Sequence, residues 1–454
     1  MQHEADLVVI GGGLVGMLTA LQAQRAGLDV CLVDKNFAAS GDHAPSVLFR
    51  MGVPKEVQPI FEYSLQQWAE LAESVEDPIG LMRHGVGFVA VNEAQAQGLQ
   101  KFADQDQGFK VFTDAGEMAS ALRVPQVGSL KGLLLEADGF HIFSSMTHEA
   151  LRRDLMHGGA RIFGSDAVAE LMIEKEKVVG VKTKHEQIRA KNVALCAGAW
   201  AGKFLEQLSL KLPMRPARSH RIELSVTGEM PKQPLIYPLK EGNIIIRPMR
   251  GGRILVVYTG QNDEAQATWD QHIDHQTVKT VLLGIAQLLP ALANAKVQHV
   301  EASTLAITPD MLPYLGRVAS LDGLYIAAGM NSQTFLYAPA VAKAVALLVS
   351  GKAPEVDMTP FSPDRYILKD LTEKAAAPAQ PHTASDVDQD IADLHEGLSA
   401  LDPEAIERQL AETAAARDAA KEANNLKAQG KDLVDAQKEN VQYAGLKKEE
   451  PPTE

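Results

Sequence analysis

Apolar and polar positions follow two different patterns along the chain. Near the N-terminus, an apolar run at residues 7–10 enters a glycine cluster, a helical pattern follows over residues 17–26, and a second apolar run covers residues 30–33. This order of strand, glycine turn, helix and strand is typical of a parallel α/β sheet. From about residue 221 to residue 260 the pattern becomes β-rich, which predicts a second, separate sheet.

Two β-branched runs within the second part predict a hairpin. Residues 244–248 and residues 253–258 are separated by residues 249–252, which end in two glycines. Glycine supplies the backbone conformation that a tight hairpin turn needs. We expect this hairpin to belong to the second sheet.

The C-terminal segment, residues 371–454, differs from the rest of the chain in composition. It is rich in alanine, has more acidic than basic side chains, and accounts for most of the formal net charge of −14. Apolar side chains recur at helical spacing between Ile391 and Leu401, but so narrow a stripe buries too little surface to fold alone. We expect an acidic tail, helical or disordered, that is either loosely ordered or docks to a protein partner or to a second copy of the chain.

Composition and charge exclude several classes of protein. The acidic balance argues against nucleic acid as a partner. No leader peptide is visible, and the longest apolar stretch, residues 338–349, contains Lys343 and is too short to span a membrane. Cys31 and Cys196 lie far apart in apolar runs and are interpreted as buried core residues. We expect a cytoplasmic protein, either free or bound peripherally at the inner face of the membrane.

The strongest chemical signal is the glycine cluster after the first strand. Gly11 permits a tight turn, Gly13 lets the backbone approach a pyrophosphate, and Gly16 permits close packing of helix against strand. Free N–H groups at the start of the following helix bind phosphate. Asp34, at the end of the second strand, suits hydrogen bonds to ribose hydroxyls and would repel a 2′-phosphate. The pattern favours FAD or NAD over NADP and does not choose between the first two.

Two later segments also run from an apolar strand into a small-residue turn. They cover residues 192–200 and residues 323–332. Such turns are places where the backbone passes close to a cofactor. After the second one, Pro339 is predicted to open an apolar helix. A helix N-terminus there would stabilise negative charge on a reduced flavin.

Together with shorter elements, these segments carry a family resemblance. The shorter elements are Asp138-Gly139, Leu212-Pro213 with Arg218, Arg247-Pro248 with Gly252-Arg253, Thr308-Pro309-Asp310 with Pro313 and Gly316, and residues 360–366. From about residue 5 to residue 366, the chain resembles the FAD-dependent D-amino-acid oxidase superfamily, in the branch of glycine oxidase, sarcosine oxidase and D-amino-acid dehydrogenases.

The resemblance implies an α/β fold in which a Rossmann-type FAD-binding domain is interleaved with a mainly antiparallel β-sheet substrate domain. The FAD-binding domain would comprise residues 1–80, 150–215 and 300–370, and the substrate domain residues 81–149 and 216–299. FAD would lie between them without a covalent bond, although some relatives tether the flavin to a histidine near the position of His43. The residues implied to bind FAD are Gly11, Gly13, Leu14, Val15, Gly16, Asp34, Lys35, Ser40, His43, Val168, Ala197, Gly198, Trp200, Gly329, Met330, Asn331, Ser332 and Gln333.

The reaction that the resemblance implies is removal of a hydride from a carbon bearing an amine onto flavin N5, which gives an imine that hydrolyses. Oxidation of a 2-hydroxy acid is the alternative. A third hypothesis is an FAD-bearing accessory subunit that its tail docks into a larger assembly. The electron acceptor, which is dioxygen, a quinone or a partner protein, is not encoded in any motif. No metal site is predicted, because His272 and His275 lack a third ligand.

Two positions depart from the amino-acid-oxidising relatives. An arginine that commonly anchors the substrate carboxylate, three residues before the Thr-Pro-Asp element, is Leu305 here, and the loop that often carries a histidine or arginine beside the flavin has Ser332. Either the substrate lacks a free α-carboxylate, or another arginine, such as Arg247 or Arg250, supplies the charge. The residues expected at the substrate are Arg247, Tyr258, Asn331 and Gln333, with core packing an equal explanation for Tyr258.

Overall fold

The computed structural model describes residues 2–37, 46–51, 53, 57–104, 108–239, 242–260 and 266–367. The strands are β1 (Gln2–Ile10), β2 (Val30–Val33), β3 (Val47–Leu48), β4 (Leu81–Met82), β5 (Val86–Ala90), β6 (Phe109–Phe112), β7 (Gly132–Glu136), β8 (Phe140–Ile142), β9 (Arg161–Phe163), β10 (Val168–Glu174), β11 (Lys177–Thr183), β12 (Gln187–Leu195), β13 (Arg215–Ser225), β14 (Leu235–Pro238), β15 (Asn243–Met249), β16 (Arg253–Thr259), β17 (Lys296–Ile307), β18 (Tyr314–Arg317) and β19 (Leu324–Ala328). The helices are α1 (Leu14–Arg25), α2 (Gln58–Ser74), α3 (Glu93–Ala103), α4 (Ala115–Leu122), α5 (Ser144–His157), α6 (Ala201–Glu206), α7 (His275–Leu288), α8 (Thr334–Val349) and α9 (Asp364–Ile367).

The first sheet is built around β1, the strand that precedes the glycine cluster. Its strands follow the order β10-β11-β12-β1-β2-β9, with β19 added to β12 and β18 to β19. The central strands β12, β1, β2 and β9 run parallel. Both faces of β1 are covered: Leu7 and Val9 pack in one core with α1 and α8, and Val8 packs in the core on the other face. The parallel α/β unit predicted from the N-terminal pattern is confirmed.

The second sheet is mainly antiparallel and has the strand order β17-β13-β16-β15-β14-β5-β7-β6. The predicted hairpin is confirmed: β15 pairs with β16, and Gly251 and Gly252 have φ values of 74° and 71° in the turn. The mixed α/β architecture is therefore confirmed, while the domain boundaries stay predictions. The boundary at residues 299–300 falls inside β17, because this strand pairs with β13 as far as Ile307.

The two faces of the second sheet have different environments. One face packs against α4 and α7 through alternate residues, among them Ile222, Val256 and Ile246. The strand register places Arg247, Leu255 and Glu223 in one line on the opposite face. Leu305 shares that opposite face through its pairing with Ala217 of β13.

A small third sheet, β3-β8-β4, joins the two larger ones. Leu48 and Phe140 belong to the core that contains α1, α2 and α8. Val47 packs in a cluster with Phe88 and Ile236 of the second sheet. The third sheet therefore has one face toward each of its larger neighbours.

The helix after β19 begins earlier than its sequence predicts. The structure starts α8 at Thr334 and places Pro339 inside it, so the prediction that Pro339 opens the helix was wrong. Proline removes one helical donor, and the carbonyl that loses this donor, Phe335 O, instead accepts from the indole of Trp68. The predicted burial of the two cysteines is confirmed, with Cys31 fully buried and Cys196 6% exposed. The acidic tail lies outside the described residues.

Candidate functional site

The turn between β1 and α1 is closed on one side and open on the other. A Cβ atom on Gly11 would lie 2.4 Å from the carbonyl oxygen of Cys196, and one on Gly16 would lie 1.8 Å from the carbonyl oxygen of Gly11. Glycine is thus required at both positions by close packing of the chain. A Cβ atom on Gly13 would meet no atom within 4 Å. Gly13 therefore faces open space, where a ligand can approach the backbone.

The start of α1 carries no group that competes with an anion. Gly13 is its N-cap residue and has no side-chain cap, and the first turn contains no acidic residue. The N–H groups of Leu14, Val15 and Gly16 follow directly, and such first-turn N–H groups have no acceptor within a helix. This arrangement fits the diphosphate of a dinucleotide, which is stabilised by N–H donors and by the positive end of a helix dipole.

Asp34 is held rigidly at the end of β2 beside this turn. Its carboxylate accepts hydrogen bonds from the main-chain N–H of Gly12 at 2.7 Å and of Asn36 at 2.7 Å. Its main-chain oxygen accepts from the N–H of Asp166, which leads into Val168 at the start of β10. A carboxylate at this position suits hydrogen bonds from the ribose hydroxyls of a dinucleotide.

Lys35 and Trp200 are in contact at the edge of the first sheet where β2 and β12 end. The Nζ atom of Lys35 lies 4.6 Å from the centroid of the Trp200 ring, a cation–π contact. Trp200 ends a short 3-10 helix that begins at Gly198, and the N–H of Cys196 donates to the carbonyl of Ile10. Ala197, Gly198 and Trp200 therefore follow the end of β12 beside the end of β1. Burial raises the pKa of the Cys196 thiol to about 12, so this cysteine is not a nucleophile.

The loop from Gly329 to Gln333 is braced by its own asparagine. Asn331 is 2% exposed and has a positive φ of 54°. Its Oδ1 accepts from the main-chain N–H of Thr308 at 2.9 Å, and its Nδ2 donates to the carbonyl of Met311 at 2.9 Å. The side chain thus ties this loop to the Thr-Pro-Asp element, which is a positioning role. Gln333 lies at the start of α8, and its N–H donates to the carbonyl of Met330.

The two residues expected on the substrate sheet lie on different faces. Tyr258 packs in the core with Tyr237 and α7, the face opposite to Leu305. Arg247 lies on the same face as Leu305 and is 2% exposed. The structure therefore brings Arg247, but not Tyr258, to the face of the sheet that carries Leu305, the position where relatives commonly have an arginine.

Arg247 is fixed between the second and third sheets. Its Nη1 donates to the carbonyl of Ile142 at 2.5 Å, and its Cζ lies 5.8 Å from the ring centroid of Phe143. The neighbouring His141 is 1% exposed, and burial, with Arg247 and His84 nearby, lowers its pKa to about 3. His141 is therefore neutral beside the guanidinium at physiological pH.

A comparison with protein families identifies the chain. The family model described as "DAO: FAD dependent oxidoreductase" matches residues 6–348. The chain belongs to this family of FAD-dependent oxidoreductases. Its cofactor is FAD, in agreement with the open Gly13 turn, the uncapped start of α1 and the position of Asp34.

Among known proteins, this FAD-dependent oxidoreductase is similar to a glycine oxidase of Pseudomonas aeruginosa, with 27% identity over 368 residues that cover 79% of this chain and 98% of the relative. The fold is similar to the crystal structure of glycine oxidase from Geobacillus kaustophilus, with a TM-score of 0.70, 23% identity and coverage of 80% of this chain and 100% of that one. It is also similar to L-proline dehydrogenase from P. horikoshii, with a TM-score of 0.70, 22% identity and coverage of 81% and 98%.

The FAD-dependent oxidoreductase has charged groups on its second sheet that its sequence did not predict. Arg221 is 7% exposed and donates to Glu301 and Glu223, each at 2.7 Å. These residues share the face of Leu305. Alternation of Arg221, Ile222 and Glu223 is the signal that would have placed Arg221 opposite the apolar core.

A second missed contact joins two elements of the family resemblance. Arg365 donates two hydrogen bonds to the Asp310 carboxylate in a bidentate arrangement, from Nε to Oδ2 at 2.8 Å and from Nη2 to Oδ1 at 3.1 Å. Burial acts to raise the pKa of Asp310, but the hydrogen bonds from Arg365 and from the N–H of Leu312 hold that pKa below its usual value.

Ser40 and His43, two of the residues expected to bind FAD, lie outside the described residues. Within the described residues, no helix has both the length and the apolar character needed to cross a membrane.

Proposed function

We propose that this FAD-dependent oxidoreductase oxidises a carbon that bears an amine, giving an imine that hydrolyses to a carbonyl compound. The observation that carries the proposal is the open Gly13 turn with Asp34 beside it, an arrangement that suits the diphosphate and ribose of FAD. The choice of an amine is supported by the names of the similar proteins, whose substrates are glycine and proline. Neither name specifies a hydroxy acid, so the 2-hydroxy-acid alternative is not favoured.

The residues of the chain divide into those that hold FAD and those that orient the substrate. FAD, when bound, supplies the two-electron acceptor. Gly13, Leu14 and Val15 would hold the diphosphate through main-chain N–H groups, and Asp34 the ribose. The loop with Gly329, Met330, Ser332 and Gln333 would border the flavin, and Asn331 fixes that loop to Thr308. Removal of a hydride needs orientation and exclusion of water more than a dedicated base.

The anchor for the substrate is the point at which this chain departs from its relatives. Leu305 supplies no charge at the usual arginine position, and Arg221 is already paired with two carboxylates. Arg247 remains the arginine that we propose for substrate orientation, because it shares the face of Leu305 and lies where the second and third sheets meet. Tyr258 is left out of the proposed substrate contacts because it packs toward α7.

The test is anaerobic mixing of the FAD-loaded protein with panels of candidate substrates that differ in the group on the oxidised carbon. The panels are D- and L-amino acids, N-methyl amino acids, carboxylate-free amines, and 2-hydroxy acids, and the readout is loss of flavin absorbance. Bleaching by a nitrogen-bearing panel is expected. Bleaching by hydroxy acids alone would contradict the proposal, and no bleaching by any panel would favour an accessory subunit whose tail docks to a partner.

The bond to FAD and the electron acceptor have tests of their own. We propose non-covalent FAD, so acid precipitation should leave the yellow colour in the supernatant, and a yellow pellet would contradict this. Reoxidation of the reduced protein by dioxygen, by a soluble quinone or by neither distinguishes an oxidase from a dehydrogenase and from an enzyme that needs a partner protein.

A further inference from the structure

A cavity of about 290 Å³ lies between α2 and the third sheet. Its apolar wall is formed by Leu48 of β3, Phe140 of β8, and Phe61 and Leu65 of α2. These side chains lie in or against the core that contains α1, α2 and α8. Arg247, by contrast, reaches β8 from the second sheet. The apolar wall thus lies on the face of the third sheet that carries Leu48 and Phe140, whereas Arg247 lies near His141, whose side chain is on the other face.

Two guanidinium groups at this cavity are pre-oriented by aromatic rings. The Cζ atom of Arg50 lies 5.3 Å from the ring centroid of Phe109, and that of Arg83 lies 5.7 Å from the ring centroid of Phe140. A cation–π contact restricts the position of a guanidinium on a ring face. Because both arginines line the cavity, their positive charge and N–H donors favour a carboxylate there.

The two carboxylates that line the cavity have different roles. Glu136 is 1% exposed and accepts from the main-chain N–H of Arg50 at 2.6 Å and of Met51 at 3.1 Å. Burial raises its pKa, and its oxygens serve to fix the chain after β3. Asp138 lies in the exposed turn between β7 and β8 and also lines the cavity. It is therefore the carboxylate available to a ligand's positive group.

We propose that this cavity binds a small zwitterionic amino acid with an apolar side chain, at a site separate from the site of oxidation. The carboxylate of the ligand meets Arg50 and Arg83, its ammonium group faces Asp138, and its side chain lies against Phe61 and Phe140. The volume corresponds to about ten water molecules and lies at the lower end of small-molecule pockets, which suits a ligand of amino-acid size. This site does not depend on the proposed reaction.

The probe is 1-aminocyclopentane-1-carboxylate, which oxidation cannot consume because its nitrogen-bearing carbon has no hydrogen. Its binding to the FAD-loaded full chain is measured by titration calorimetry. Its amide and cyclopentanecarboxylate serve as the analogues that lack the carboxylate and the ammonium group. We expect saturable binding of the probe, and binding of each analogue weaker by about tenfold or more, because each lost charge-assisted hydrogen bond costs at least that factor.

Two variants on exposed positions locate the binding. Arg83→Gln and Asp138→Asn should each weaken binding of the probe by about tenfold or more, while their melting temperatures stay near that of the parent. Arg250→Gln, at an exposed arginine that stacks on Phe143, is the matched control and should leave the affinity unchanged. Absence of saturable binding, or equal affinity in Arg83→Gln, would overturn the proposal. Loss of binding in Arg247→Gln but not in Arg83→Gln would also overturn it, since the probe would then occupy the substrate face.

Discussion

The indole N–H of Trp68 donates a hydrogen bond of 2.9 Å to the carbonyl oxygen of Phe335, and the two rings stack with centroids 5.7 Å apart. In an α-helix this carbonyl would accept from the N–H of residue 339, which is a proline. Trp68 is fully buried on α2. One side chain of α2 therefore completes the first turn of α8, the helix whose N-terminus follows the Gly329 loop.

Trp68→Phe should destabilise the fold by about 1–3 kcal/mol, because it leaves the buried carbonyl of Phe335 without a donor while keeping an aromatic ring in place. In a Pro339→Ala background the main-chain N–H at position 339 supplies the bond, so Trp68→Phe should cost less there. Urea unfolding of the four proteins of this double-mutant cycle measures the difference. Strictly additive effects of the two substitutions would show that the indole does not replace the helical donor.

Gly13→Ala should give a folded but colourless protein. The φ of Gly13 is −70°, and an added Cβ meets no atom of the chain within 4 Å, so the free energy of unfolding should change little. The methyl group would instead occupy the space through which the diphosphate approaches the backbone. Flavin absorbance relative to protein absorbance, after incubation with FAD, is the measurement.

Gly98→Ala is the matched control for Gly13→Ala, because its added Cβ also meets no atom within 4 Å and it lies in α3. This control should retain FAD. Full FAD occupancy in Gly13→Ala would mean that the open side of the turn does not face the cofactor.

The neutral state of His141 predicts a pH dependence of stability. Its pKa in the folded protein is about 3, below the value of about 6.5 for an unfolded histidine. Between these values the unfolded chain binds the proton and the folded chain does not, so stability falls as the pH drops below about 6.5, by at most about 1.4 kcal/mol per pH unit.

His141→Phe should flatten the dependence of the unfolding free energy on pH between about pH 7 and pH 5. Phenylalanine at position 141 takes up no proton in the unfolded chain, so this one contribution to the slope is lost. The control is His157→Gln, at a histidine whose side chain is 63% exposed. Urea unfolding at several pH values gives the slopes. The same slope in His141→Phe and in the parent would be incompatible with a buried neutral histidine.

Arg365→Lys should lower stability at neutral pH by about 1–2 kcal/mol, because lysine cannot reproduce the two bonds to the Asp310 carboxylate. The depressed pKa of Asp310 means that its contribution is present above about pH 4 and is lost as the pH falls through the folded value. The difference between parent and variant should therefore shrink in acid.

Arg317→Lys is the control for Arg365→Lys. Its partner is Asp322 at 2.8 Å, and both side chains are more than half exposed, so its cost should be about 0–1 kcal/mol. Thermal unfolding of both variants at neutral and acidic pH makes the comparison. An equal cost in the two variants would place the Asp310 pair among ordinary surface ion pairs.

Features fixed by short-range sequence were predicted well, and features fixed by distant partners were not. The Gly11 turn and the hairpin at Gly251 depend on neighbouring residues, so their patterns are visible in the sequence. The start of α8 depends on Trp68, which is 267 positions away from Phe335, and no local pattern around Pro339 contains that information. Strands of two residues, such as β3, also lack a readable period.

The candidate site shows the same division. Gly13 and Asp34 were predicted because a dinucleotide imposes a local spacing on them. The face on which Tyr258 lies follows from strand register, and the bracing role of Asn331 follows from contacts with Thr308 and Met311. Both depend on tertiary packing, which overrides what a single residue type indicates.

The most direct test of FAD-dependent amine oxidation is a single turnover without oxygen. The FAD-loaded protein is mixed with an acyclic amine that bleaches the flavin, because a cyclic amine would keep its nitrogen after the imine hydrolyses. The nitrogen-containing product released from the oxidised carbon is quantified against the flavin reduced. The account predicts equal amounts of released ammonia or primary amine, carbonyl product and reduced flavin. Reduction of the flavin with no release of nitrogen from the substrate would contradict it.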